Sequence, residues 1–127
     1  VQDRRERLRK LVVVQEKLQR LHETRHAGYV AAAAKERAEA NELANSFDAE
    51  GSMASLFPEL YHSRISAALA KEQANLRLAE VEAQHVATAT ARTNMVERAW
   101  KDAAREDERA KAERDRLELL GRKPSAE

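Results

Sequence analysis

"SFDAEGSMASLFPEL", residues 46–60, is the one interior stretch in which helix breakers gather: Gly51, Ser52, Ser55 and Pro58. On either side the chain is rich in Ala, Glu, Arg, Lys and Leu, with apolar positions three and four residues apart, the pattern of long helices. Proline is tolerated in a first helical turn, where its missing N–H has no partner to lose, so a second helix starts near Ser55 to Pro58. Two helices that each have a stripe to bury, joined by so short a turn, fold back on one another. The expected fold is all-α, an antiparallel two-helix coiled-coil hairpin with a longer second helix. It forms a single domain over residues 1–127, with helices at about 2–48 and 57–120, a turn at 49–56 and a short C-terminal tail.

Composition supports this class. Three glycines and two prolines are too few for the many turns of a sheet protein, and 35% of the residues are charged. Much of the 43% hydrophobic share is alanine, which packs closely but buries little area, so a thick core is excluded. With 23 basic against 22 acidic residues, the chain lacks the general electrostatic footprint of a nucleic-acid binder. There is no cysteine, hence no disulfide and no thiolate metal site, which suits a reducing cytoplasm. The longest strongly apolar run, Leu11 to Val14, is far below bilayer length, and no signal peptide is expected. The chain begins with Val1 rather than methionine, as one preceded by further residues would.

The first helix offers Leu11, Val14, Leu18 and Leu21 as its early seam, spaced three, four, three. From Leu18 the stripe continues through Leu21 and Arg25 to Tyr29, an eleven-residue step that locally relaxes a left-handed supercoil. It resumes as Ala33, Ala40, Leu43 and Phe47, with Glu36 as a polar member. The second helix offers Ile65, Leu69, Leu76, Ala79, Ala83, Val86, Thr90, Thr93, Val96 and Trp100, and ends at Gly121, with Pro124 beyond. A turn centred near Gly51 to Ser55 predicts facing residues whose numbers add to about 106–110, on equal rise in the two arms. The second helix then outruns the first by about three turns, leaving Leu117, Leu119 and Leu120 without an intramolecular partner. Trp100 falls opposite residues 6–10 and either fills the seam around Leu8, as large aromatics usually do, or serves as a contact site. Gly28 either allows close helix approach or is a neutral residue.

"RLHETRHAGY", residues 20–29, has the His-Glu-x-x-His spacing with which zinc peptidases hold a metal, in His22, Glu23 and His26. The hairpin register adds His85 opposite residues 21–25, so a metal-binding protein using His22, His26 and His85 is one alternative reading. A two-helix hairpin has only a thin seam and no shaped cavity for substrate, and Arg25 sets a positive charge beside any cation. His62 beside Ser63 is a sequence neighbour, not an oriented catalytic pair. The expectation is therefore no catalytic residue, no cofactor, no resident metal and no enzyme. "RRERLRK", residues 4–10, reads either as a solvated helix face or as a site for an anionic partner. The turn gathers Phe47, Phe57 and Tyr61 with Met53, Leu56 and Leu60, more apolar surface than a thin tip can bury. It forms a cap, a protein-binding patch, or both.

A cysteine-free, charged α-hairpin with a longer second helix, the stretch "NMVERAWKDAAREDERAKAERDRLE" and a closing "GRKP" resembles the FliJ/SctO-like stalk proteins of flagellar and type III secretion export. The resemblance covers nearly the whole chain and is one of architecture and composition rather than of a sharp motif. It implies a cytoplasmic, non-enzymatic stalk at the cytoplasmic face of the export apparatus, peripheral to the membrane only through its partners. Its paired helix ends would enter the pore of a hexameric export ATPase, and its tip would meet an export gate protein or substrate chaperones. By position along the hairpin, Arg4, Arg5, Arg7, Arg9 and Lys10 with Leu117, Leu119 and Leu120 would serve the ATPase. Leu43, Phe47, Phe57, Leu60 and Tyr61 would serve the gate or chaperone. A generic self-associating coiled-coil scaffold or chaperone is the other alternative, since so thin a hairpin buries little and homo-oligomerisation in isolation is expected of it.

Overall fold

The computed structural model describes residues 3–122. Helix α1 spans Arg4–Phe47, a single 3-10 turn covers Met53–Ser55, and α2 spans Pro58–Gly121. The fold is all-α, an antiparallel hairpin whose second helix is the longer. No proline interrupts either helix after Pro58, and the termini are set by local chemistry. Asp3 Oδ1 accepts from the Glu6 backbone N–H at 2.8 Å, an N-cap that starts α1 at Arg4, two residues after the expected start. Pro58 takes the first helical position of α2, where its missing donor costs nothing.

The chain divides into two compact units, Gln19–Thr88 and the flanking segments up to Leu18 and from Ala89 onward. In the Gln19–Thr88 unit the seam of α1 is Gln19, His22, His26, Tyr29, Ala33, Glu36, Ala40, Leu43 and Phe47, alternating three and four residues throughout. The facing seam of α2 is Tyr61, Ile65, Ala68, Glu72, Asn75, Ala79, Glu82 and Val86, with the same alternation. Ala33, Ala40, Ala68 and Ala79 are buried, so small side chains let the two backbones approach.

This corrects the expected seam in two places. Leu21 and Arg25 are exposed, and no eleven-residue step interrupts the repeat. On α2 Leu76 is exposed, while its neighbour Asn75 and Glu72, one turn away, face inward. The register follows the expectation: Phe47 meets Tyr61 and Arg37 meets Glu72, pairs whose numbers add to 108 and 109. His22 with Glu82 gives 104 and with His85 gives 107. Gly28 has open space where a Cβ would stand, so close helix approach is not its role.

At the turn, Gly51 has φ +75, a left-handed conformation that glycine adopts without steric cost. Ser52 Oγ accepts from the Ala54 N–H at 3.0 Å and starts the 3-10 turn, tucking Ala54 into the tip.

In the other unit, Leu8, Val12 and Gln15 of α1 are buried or half-buried, as are Ala89, Thr93, Val96, Trp100 and Ala103 of α2. The expected seam residues Leu11, Val14 and Leu18 are exposed instead, a second correction of the same kind. Buried Thr93 satisfies its hydroxyl within its own helix, donating to Ala89 O at 2.8 Å. Every described residue from Arg105 onward is exposed, although the helix continues to Gly121.

Candidate interaction surfaces

In the Gln19–Thr88 unit, the helix ends flanking the turn sort the predicted tip residues into two groups. Leu43, Phe47 and Tyr61 turn inward and are half-buried. Phe47 packs edge-on against Tyr61 at 6.3 Å between ring centroids, and tilted against His62 at 5.2 Å. These three close the hairpin. Phe57 and Leu60 are exposed, together with Met53 and Leu56, and form the apolar surface that a partner can reach. Inward packing and exposed apolar surface are thus carried by different residues.

The histidine cluster has a geometry of its own in this unit. His22 Nδ1–H donates to Glu82 Oε2 at 2.7 Å, and the His22 ring stacks on His85 at 4.9 Å between centroids. Arg25 Nη1 reaches the other Glu82 oxygen at 4.0 Å. His26 does not join them; it lines a separate hollow with Glu23, Ala83 and Val86. Among the described residues, no three His, Asp or Glu side chains converge as metal ligands. Glu82 is the partner of His22, and His26 stands apart from both His22 and His85.

Glu82 and Glu72 were missed by sequence reasoning. Both are buried carboxylates at seam positions of α2, and each is met from α1: Glu82 by His22 and Arg25, Glu72 by Arg37 Nε at 2.9 Å. Charges in an otherwise alanine-lined seam tie the two helices to one register, because sliding either helix strands a desolvated carboxylate. A signal for Glu72 existed. Val86 and Thr93 lie seven apart, and two more sevens towards the N-terminus land on Ala79 and Glu72.

In the other unit, Arg4, Arg5, Arg7, Arg9 and Lys10 are all exposed, as are Leu117, Leu119 and Leu120. Trp100 is half-buried beside Asp3, Arg5, Glu6 and Arg9, as its predicted seam position requires. Its Nε1 is buried with no hydrogen-bond partner among the described residues. Asp3 and Arg5 also border a hollow formed with Asp107, Lys111 and Arg114 of α2. That surface mixes both charge signs. No helix among the described residues is long and apolar enough to cross a membrane.

No model of a known protein family matches the chain, and no curated protein and no solved structure is similar to it.

Proposed function

We propose that this chain is a non-enzymatic coiled-coil stalk or adaptor of a bacterial flagellar or type III protein export apparatus. Its open helix ends engage the pore of a hexameric export ATPase, and its tip engages an export gate protein or a substrate chaperone. The reading joins the architectural resemblance to one observation that carries it. Helix α2 continues from Arg105 to Gly121 with every residue exposed, and it bears Leu117, Leu119 and Leu120, which no described residue covers. A helix of that length is marginal alone in water and keeps its order best against a partner.

Arg4, Arg5, Arg7, Arg9 and Lys10 supply the positive charge that acidic pore residues would meet, while Phe57, Leu60, Leu56 and Met53 supply the apolar contact at the tip. On this reading the protein works in the cytoplasm and reaches the membrane only through its partners.

The test is co-sedimentation and ATPase measurement with an isolated hexameric export ATPase. Truncation after Ala110 should abolish binding and stimulation, and Phe57→Ser with Leu60→Ser should leave both intact. Binding that survives the truncation, or no binding by the full chain, sinks the proposal. The competing reading, a self-associating scaffold, predicts a stable oligomer by analytical ultracentrifugation in the absence of any ATPase.

A further inference from the structure

In the unit formed by the chain up to Leu18 and from Ala89 onward, α1 turns its most apolar face away from α2. Leu11, Val14 and Leu18 are 42%, 50% and 40% exposed and recur at three and four residues, the spacing with which one helix grips another. The seam beside them holds Gln15, whose Oε1 is buried without a hydrogen-bond partner. A chain folding only for itself would place the leucines in the seam and the glutamine outside.

The antiparallel pairing decides what flanks this strip. Leu11 and Leu18 occupy the heptad position that borders the equivalent position of α2, which is filled by Arg92 and Ala99. One step further round α2 stands Met95, 69% exposed, so Leu11, Val14, Leu18 and Met95 share one face of this unit, with Arg92 and Ala99 between the two helices' contributions. Its outer edges are basic, Lys10 and Lys17 on α1 and Arg98 on α2, and Arg92 stands within it between Leu18 and Met95. None of these four has a carboxylate within ion-pair distance among the described residues. Asp102, the nearest acid on this face of α2, is held by Arg105 at 3.6 Å.

In a chain whose net charge is only +1, six basic and two acidic residues between Arg4 and Leu18 are a local excess. A second copy laid face to face would set basic edge against basic edge, which like-charge repulsion disfavours. We infer that the strip is a docking surface for one amphipathic helix of another protein, with leucines at heptad spacing and Asp or Glu along both flanks. The inference uses a face distinct from the exposed leucines of α2 and stands whether or not the export reading holds.

The probe is a fluorescent synthetic three-heptad peptide with Leu at its seam positions and Glu at the flanking ones, titrated with the full chain and followed by anisotropy. Saturable binding should weaken at least about tenfold in Leu18→Glu, as for loss of a central apolar anchor. It should also weaken in Lys17→Glu and at high salt. Leu76→Glu, in the other unit and on another face, should change it less than about twofold. The same peptide with Lys flanks should bind at least about tenfold more weakly.

Circular dichroism checks that Leu18→Glu keeps its helicity; if it does not, Met95→Glu carries the same test. The inference is overturned if the Glu-flanked peptide does not bind, binds both variants as well as the parent, or binds no better than its Lys-flanked counterpart. A dimer seen by ultracentrifugation and dissociated by Leu18→Glu overturns it in favour of a second copy.

Discussion

Arg37→Ala should destabilise the hairpin although Arg37 itself is largely in solvent. Glu72, its partner, belongs to a residue only 7% exposed, so the substitution leaves a desolvated carboxylate with its 2.9 Å donor gone. Breaking a fully buried pair costs about 3–5 kcal/mol. The Arg37 side chain is 55% exposed, and water can take over part of its role, so the expected cost is about 1.5 kcal/mol. For a chain of this length that corresponds to roughly 5 °C in Tm.

Glu72→Leu alone should be neutral or stabilising by about 1 kcal/mol, because it removes the desolvation and leaves Arg37 free to hydrate. In that background Arg37→Ala should cost less than about 0.5 kcal/mol, giving a coupling of about 1 kcal/mol or more. Urea denaturation of the four proteins, followed at the helical circular dichroism band, measures the cycle. Equal costs of Arg37→Ala in both backgrounds would refute the assignment of Glu72 as a buried charge held by Arg37.

Other substitutions probe the same structure. Ala40→Leu forces extra volume into a position 3% exposed and should cost about 1–3 kcal/mol by thermal melting, since nothing there can move aside cheaply. Leu21→Gln should change stability by less than about 0.5 kcal/mol, whereas a true seam leucine would cost several times more. Gly51→Ala meets a φ of +75 and should lose about 1 kcal/mol, visible as a lower urea midpoint with an unchanged slope. Truncation after Ala110 removes only exposed described residues and should leave the urea midpoint within error.

The helices, the turn and the register were all legible, because each rests on local signals: a cluster of breakers at 46–60, Pro58 in a first turn, and equal rise on both arms. The rotation of the seam was not. Leu11, Val14, Leu18 and Leu21 are the most apolar run of α1, and a rule that seeks the greasiest stripe selects them. The seam instead follows Ala33, Ala40 and Phe47 at sevens, and three further sevens towards the N-terminus reach His26, Gln19 and Val12. Phase carried more information than hydropathy here, because alanine and paired charges hold this seam together. The same substitution of rules hid Glu72 and Glu82, which hydropathy places outside and the repeat places inside. The separation of the histidines was hidden for a related reason: His26 and His22 share a helix, but His22 sits among Glu82 and His85, and His26 lines a different hollow.

The tip contacts also set the order in which the chain can assemble. Phe47 and Tyr61 meet although only fourteen apart in sequence, while His22 and Glu82 lie sixty apart. Closing the short loop costs less chain entropy, and each later pair then extends a zipper already started. Gly51, which makes the reversal possible, therefore governs how fast folding begins as well as how stable its product is. A lesion there should slow refolding, whereas loss of the distant His22–Glu82 pair should mainly hasten unfolding.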